Sequence, residues 1–227
     1  TSITSGLDWL NSTSTTLTSV EDNLLSVIDT ASQADSGLLS AEDRAALAEQ
    51  VDQYLEEAYG LANTESGGKF LFGGTQTLTE PFAATRDSST GRITSVAATN
   101  ADSIDSGMLK TIGKGQTIQV NVQGGDLFVS GAAGNIFDQI IELRDALEAD
   151  DLDTAAVKNI TSSLETGLDR VVNQNSVLGA KINRLESMST RLKSESLSIT
   201  ERISDLGDTD AAKAALEYKA QQNIYEA

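Results

Sequence analysis

Few side chains in this sequence could take part in catalysis, and the residue types that are absent exclude most reactions. Its 227 residues include neither His nor Cys. The protein therefore lacks imidazole bases, thiolate nucleophiles and the usual ligands of zinc. The 34 acidic residues give many accidental carboxylate pairs, but none lies in a recognisable apolar pocket motif that would suit glycosidase acid–base chemistry. The sequence predicts a protein that is not an enzyme.

Two short segments could hold a ligand, and each has a simpler interpretation. Gly113 to Thr117 lacks the Gly-x-x-x-x-Gly-Lys-Ser/Thr spacing of a phosphate loop, and no helix is expected after it. Glu148 to Asp153 is acidic but lacks the register of a calcium-binding EF-hand loop. We predict a β-turn for the first segment, a solvated turn for the second, and no cofactor or metal ion.

The charge balance and hydropathy of the chain argue against two classes of partner. The 16 basic and 34 acidic residues give a net charge of −18 at pH 7, and such a surface repels phosphate backbones. No apolar run approaches the ~18 residues of a membrane-spanning helix, and no signal-peptide pattern is present. We predict neither a nucleic acid nor a membrane as partner.

Apolar residues recur in steps of three and four near both ends of the chain. Such spacing places one stripe along a helix and calls for a partner helix. Because the two stripes lie at opposite ends of the sequence, we expect the helices to pair antiparallel in a rod that carries the intervening residues at its tip. The residues predicted to pack the rod are Leu17, Val20, Leu24 and Val27 opposite Leu164, Leu168, Val171, Leu178, Ile182, Leu185 and Leu192.

Capping and turn residues bound the predicted helices. Ser40 and Asp43 have the spacing of a capping box, and Asn135 can cap a later helix. Gly37 is predicted to stop the first helix, and Asp208 to Asp210 to form a second acidic turn. The predicted helices cover residues 7–34, 40–63, 135–147 and 154–206, followed by a short amphipathic piece over 211–227.

The middle of the chain has a different pattern. Residues 91–97, 117–123 and 127–129 are predicted strands, and Ile118, Val120 and Val122 share one face of the second. We therefore predict a mainly α fold with an inserted small β domain: an elongated antiparallel helical rod plus a β-rich outer domain. The rod domain is discontinuous, comprising residues 1–68 and 134–227, and the inserted domain comprises 69–133.

Polar residues interrupt the second stripe at Asn175, Ser189 and Ser196. A buried Asn at such a position can fix the register of paired helices at some cost in stability. The alternative is that the stripe faces solvent at these positions. The sequence leaves both interpretations open.

Segments in three parts of the chain together resemble one protein family. The first is Phe-Leu-Phe-Gly-Gly-Thr with a following Pro-Phe, and it is the most discriminating. The chain is similar, from about residue 10 to 225, to the bacterial flagellin superfamily, and within it to the proteins of the hook–filament junction more than to the filament flagellin. The segments lie at 67–82, at 118–128, and at 135–147 continuing into 177–186.

The resemblance implies a structural subunit of the bacterial flagellum that joins the hook-side junction to the flagellin filament. Its partners would be the hook-side junction protein, flagellin, copies of itself in a ring and a flagellar type III export chaperone. It would lie outside the cell in the flagellum, exported without a cleaved signal peptide. We expect this chain to be a core fragment without the terminal helices that family members pair on assembly.

Two further expectations accompany the resemblance. Phe70, Phe72 and Phe82 are expected to fix a hinge between the helical and β-rich domains. The alternative function is that of filament-forming flagellin itself, and the similarity to flagellin leaves it open. A polysaccharide hydrolase carried on a rod and a generic coiled-coil adhesin fit the sequence less well.

Overall fold

A computed structural model describes residues 2–34, 39–113, 115–129 and 134–225 of the chain, which divides into two units, Thr1–Ile182 and Asn183–Ala227. The described residues form five α-helices, six short strands and one π-helix, so the predicted mainly α fold with a small antiparallel β part is confirmed. The elements are α1 Ser2–Ala34, α2 Ala41–Ala62, β1 Glu65–Ser66, β2 Lys69–Phe70, β3 Phe82–Arg86, β4 Ile93–Ala98, α3 Ala101–Ile104, β5 Leu109–Gly113, β6 Gln116–Gln119, the π-helix Gly125–Val129, α4 Ile136–Glu148 and α5 Thr154–Tyr225.

Helix α1 is built from residues that favour helix weakly, and it begins at Ser2 instead of residue 7. Ser and Thr hydroxyls compete for backbone hydrogen bonds. Here they donate to the carbonyl four residues earlier, which leaves the helical backbone ladder in place. The predicted stop at Gly37 lies outside the described residues. The hydroxyls with this bond include Thr13, Thr16, Thr18, Ser19, Ser26, Thr30 and Ser32.

The predicted capping box of α2 is confirmed. The Ser40 hydroxyl accepts from the Asp43 backbone N–H at 3.1 Å, and the Asp43 carboxylate accepts from the Ser40 backbone N–H at 3.2 Å. The helix ends at Ala62, with Asn63 as its C-cap. The Asn135 cap is confirmed too, since its side chain accepts from the Phe137 backbone N–H at 2.9 Å.

Three two-stranded antiparallel sheets form the β part, pairing β1 with β2, β3 with β4, and β5 with β6. The predicted strand at 91–97 corresponds to β4. The strand predicted at 117–123 is shorter, because β6 ends at Gln119, yet Ile118, Val120 and Val122 are all buried. The segment predicted to turn, 113–117, includes the last residue of β5 and the first two residues of β6, and Lys114 lies outside the described residues.

The strand predicted at 127–129 is wrong, because these residues end the π-helix. Neighbouring side chains of a strand point to opposite faces. Leu127 and Phe128 are neighbours and both are buried, at 0% and 1% exposure. A helical turn allows two consecutive side chains to enter the same core, and an apolar triplet in the sequence does not distinguish the two conformations.

Helix α5 runs from Thr154 to Tyr225, so the turn predicted at Asp208 to Asp210 is wrong. A Gly and two Asp each disfavour helix by at most about 1 kcal/mol, and no Pro lies in this stretch. The earlier acidic turn is confirmed, because α4 ends at Glu148 and the Asp153 carboxylate caps α5 by accepting from the Ala155 backbone N–H at 2.9 Å.

The division into a discontinuous rod domain and an inserted β domain stays a prediction. Among the described residues, no helix has both the length and the apolar character that crossing a membrane requires.

Candidate assembly surface

One side chain in every seven forms a buried seam along the first half of α5. The seam residues are 0–1% exposed. Because a spacing of seven returns to nearly the same face of a helix, these side chains lie in one line. They are Val157, Leu164, Val171, Leu178 and Leu185.

Helix α1 buries an apolar stripe of its own. Leu17, Val20, Leu24 and Val27 are each at most 2% exposed, and Leu10 and Ala31 extend the stripe at 0%. Burying a Leu or Val side chain contributes roughly 1.5–3 kcal/mol each. These residues therefore hold α1 in place despite its weak intrinsic preference for helix.

Asn175 joins α5 to α1 through a polar node. Its Oδ1 accepts from the Ser14 hydroxyl at 2.8 Å. Its Nδ2 donates to the Glu21 carboxylate at 3.0 Å and to the Thr18 hydroxyl at 3.3 Å. The amide thus contacts two successive turns of α1. Of the two interpretations of Asn175, the structure supports an Asn that faces the partner helix.

Contacts at the other end of α1 give the direction of pairing. The Arg44 guanidinium, in the first turn of α2, donates to the carbonyl oxygens of Ala149 and Asp150 at 2.7 and 3.1 Å. The start of α5 therefore lies beside the start of α2, which follows the end of α1 along the chain. Asn175, further along α5, contacts the first half of α1, so the two helices run antiparallel.

The predicted packing residues do not all have the same environment. The seam includes Leu164, Val171, Leu178 and Leu185. Leu168 and Ile182 are half-buried, and Leu192 is 42% exposed. The role of these residues in a rod stays a prediction. The sequence analysis missed Val157, although its position seven residues before Leu164 continues the spacing.

The seam pattern continues past Leu185, but its side chains become exposed. We call Leu192, Ile199, Ile203 and Leu206 the exposed stripe; they are 42%, 51%, 65% and 70% exposed. Leu192, Ile199 and Leu206 continue the spacing of seven residues, and Ile203 lies four residues after Ile199. Leu197 is also 65% exposed but lies off this line. A line of apolar side chains left in water marks an interaction surface.

Four aromatic rings form the core beside the β hairpins. The Phe128 ring lies 5.2 Å from Phe72, 5.4 Å from Phe82 and 5.7 Å from Phe137, measured between ring centroids. Sequence reasoning missed Phe128 and Phe137 as members of this cluster. Phe70 is half-buried and takes no part in these ring contacts. The hinge role of Phe70, Phe72 and Phe82 stays a prediction.

A buried guanidinium ties the β3–β4 hairpin to the helices. Arg144 on α4 is 5% exposed, and its Nη1 donates to the Asp52 carboxylate at 2.7 Å and to the Ile93 carbonyl at 2.8 Å. Arg92 on the hairpin pairs with Glu49 and Glu148. These contacts fix the hairpin against α2 and α4. Among the described residues, no group of His, Cys, Asp or Glu is placed to hold a metal ion.

The comparisons with known proteins agree with this architecture. Residues 161–227 match the family described as the bacterial flagellin C-terminal helical region. The chain is flagellin-like. The resemblance stated from the sequence is therefore confirmed, and the matched region contains every seam residue except Val157 and all of the exposed stripe.

Relatives of the flagellin-like chain are flagellar hook-associated proteins. It is 27% identical over 195 residues to the flagellar hook-associated protein 3 of Escherichia coli (strain K12), which covers 80% of this chain and 60% of that protein. The chain thus spans less than two thirds of that relative's length.

Solved structures share the fold of the flagellin-like chain. One is a putative flagellar hook-associated protein from Vibrio parahaemolyticus, with a TM-score of 0.76, 22% identity, and coverage of 88% of this chain and 86% of that one. Another is flagellar hook-associated protein 3 from Legionella pneumophila, with a TM-score of 0.70, 15% identity, and coverage of 83% and 89%.

Proposed function

We propose that this chain is a structural subunit of the bacterial flagellum that joins the hook-side junction to the flagellin filament. The observation that carries the proposal is the exposed stripe. It continues the seven-residue spacing of the buried seam, so it offers a surface on which a further helix can pack. The hook-associated names of the relatives support the same role. A shared fold alone would not give a function.

The mechanism is packing. The buried stripes of α1 and α5 hold these helices in the subunit, and exposed apolar side chains remain for contacts with neighbouring subunits. We propose that the neighbours are the hook-side junction protein, flagellin and other copies of this chain in a ring. A flagellar type III export chaperone would bind the chain before export.

We propose a location outside the cell, in the flagellum, reached without a cleaved signal peptide. No catalytic role is proposed, because the sequence lacks His and Cys and the seam, the polar node and the aromatic cluster all serve packing. An assay for polysaccharide hydrolysis tests this point directly, and measurable turnover would contradict it.

The second candidate function is that of the bulk filament flagellin. The match of residues 161–227 to the flagellin C-terminal region favours it. The similarity over 195 residues to a hook-associated protein favours the junction role. The two functions differ in the amount of protein in a filament, since a junction needs few copies and a filament needs many.

Deletion of the encoding gene tests the proposal. A junction subunit is required to attach the filament, so the deleted cells should lose motility while releasing flagellin into the medium. Motility should return with the wild-type gene and with Leu197→Asp, and not with Ile199→Asp. Both substituted positions are exposed, so neither change should unfold the subunit, and circular dichroism checks this.

The composition of purified filaments separates the two functions. A junction role predicts that this chain is a minor component of them. If it is the main component, and the deleted cells contain no filament protein, the chain is flagellin. If Leu197→Asp abolishes motility as fully as Ile199→Asp, the exposed stripe is not the assembly surface.

A further inference from the structure

We propose that a polar groove between α1 and α2 binds the guanidinium of an arginine side chain from a neighbouring protein. The groove has a volume of about 190 Å³ and is lined by Ser19, Asp22, Asn23, Ser26 and Glu57. This volume is below the range of about 300–1,000 Å³ that small-molecule pockets occupy, so the groove suits a single side chain. The inference rests on the proposed function only for the neighbour, which would be another protein of the flagellum.

The groove can offer a ligand hydrogen-bond acceptors and no side-chain donor. The Ser19 and Ser26 hydroxyls already donate to the backbone carbonyls of Thr15 and Asp22, at 3.4 and 2.9 Å. Each hydroxyl has one proton, so both can only accept a further bond. The ionised carboxylates of Asp22 and Glu57 are acceptors alone. Such a lining calls for a ligand made of donors, and a guanidinium has five N–H donors and no acceptor.

One acceptor in the lining of the groove, Asn23 Oδ1, is buried and has no hydrogen-bond partner among the described residues. Asn23 is 4% exposed. Its Nδ2 donates to the Glu57 carboxylate at 3.0 Å and to the Tyr54 carbonyl at 3.2 Å, which uses both amide protons. A buried acceptor without a donor destabilises a protein. A donor in the groove would supply the missing partner after a small rotation of the amide.

The two carboxylates of the groove are exposed, and neither forms an ion pair with a described residue. The bond from Asn23 holds Glu57 through Oε2 and leaves Oε1 for a ligand. Carboxylates accept paired N–H groups of a guanidinium, which favours arginine over lysine. The net charge of −18 also attracts a basic partner.

An NMR titration of the 227-residue chain with N-acetyl-arginine amide tests the binding. We expect saturable shifts of the Asn23 side-chain amide and of the backbone amides of Ser19 and Ser26. A single side chain makes a weak contact, so the dissociation constant should be about 1–10 mM. The absence of saturable shifts would overturn the proposal.

Substitutions of single carboxylates test the site. Asp22→Asn and Glu57→Gln should each weaken binding at least about fivefold, because each removes a charged acceptor. Asp29→Asn is the control, since Asp29 is an exposed carboxylate of α1 outside the groove. An equal loss in the control and in Asp22→Asn would contradict the proposal. Calcium chloride that shifts the same amides, with no effect of the arginine probe, would show a metal site and also overturn it.

Motility tests whether a flagellar neighbour supplies the arginine. Asp22→Arg places an arginine of this chain beside Glu57, so it should restore less motility to the deleted cells than Asp29→Arg. Both positions are exposed, and circular dichroism checks that both variants fold. Equal motility would overturn the proposal. Normal motility of the deleted cells would instead contradict the proposed function, and the titration would still decide whether the groove binds a guanidinium.

Discussion

Asn175 shows how a single polar side chain can specify the contact of two helices. Its amide has partners on two turns of α1, at Ser14 and at Thr18 and Glu21. A Leu in its place would pack without regard to register, whereas the amide is satisfied in one register only. The other two polar positions differ, since Ser189 is half-buried and Ser196 is exposed.

Replacing the amide with a carboxylate should expose this dependence. Asn175→Asp removes the donor to Glu21 and places two negative charges near each other, so we expect a loss of about 1–2 kcal/mol in the free energy of unfolding at neutral pH. Urea denaturation measures it, with the exposed neighbour Asn173→Asp as control. Adding Glu21→Gln should recover part of the loss, and equal losses for both Asp variants would contradict the role of the node.

Asp87 in the β3–β4 turn is a second residue with a specific electrostatic environment. Hydrogen bonds hold the pKa of its carboxyl well below the ordinary value. The strongest comes from the Ser89 hydroxyl, and the next come from the backbone N–H groups of Thr90 and Ser89. A carboxyl whose pKa is lower in the folded state stabilises the fold at pH values above its unfolded-state pKa of about 3.9. That stabilisation is lost as the pH falls toward the folded-state pKa.

Carboxyl titration followed by NMR checks this environment. We expect the pKa of Asp87 to lie below that of an exposed Asp, and Ser89→Ala to raise it toward the ordinary value because the strongest donor is removed. Ser88→Ala is the control, since the Ser89 and Thr90 bonds do not involve Ser88. An ordinary pKa for Asp87 in the wild type would show that the turn bonds do not persist in solution.

At the scale of the element, α5 carries two glycines with opposite surroundings. A Cβ at Gly167 would lie 3.2 Å from Ile136 Cγ1, in the packed core, while a Cβ at Gly179 would meet nothing within 4 Å. Gly disfavours a helix by about 1 kcal/mol relative to Ala. One glycine is therefore required by packing, and the other only weakens the helix.

Alanine substitutions should separate these two effects. We expect Gly179→Ala to raise the free energy of unfolding by about 1 kcal/mol. Gly167→Ala should lower it by about 1 kcal/mol, since the crowding of buried Ile136 exceeds the gain in helix preference. Urea denaturation of the two variants is the measurement. A stabilising Gly167→Ala would mean that Ile136 can move aside.

At the scale of the whole molecule, burial changes sharply along one uninterrupted helix. The seam is buried as far as Leu185, whereas all described side chains from Thr190 to Gly207 are exposed. Local opening costs less where few apolar contacts must be broken. The second part of α5 should therefore open far more often than the first.

Hydrogen exchange measured by mass spectrometry tests this difference. Amides of residues 190–207 should exchange much faster than those of residues 157–185. Equal protection along α5 would contradict the expectation.

Much of the fold is local enough to be inferred from sequence. The Ser40 capping box, the Asn135 cap and the heptad spacing of α5 depend on neighbours a few residues apart, so they were predicted correctly. The predictions were wrong where contacts between residues distant in the sequence determine the local structure. Leu127 and Phe128 lie in a helical turn in which both neighbouring side chains are buried, and helix α5 continues past Asp208 because no stronger structure interrupts it.

The sequence by itself determined the helical stripes, their period and the absence of His and Cys chemistry, because these depend only on residue type and spacing. Tertiary structure decided which part of the second stripe is covered. Leu185 and Leu192 occupy equivalent positions in the pattern, but one is buried and the other exposed. A repeating apolar pattern indicates that a helix needs a partner. The burial of each side chain in that pattern depends on whether another part of the molecule lies against it.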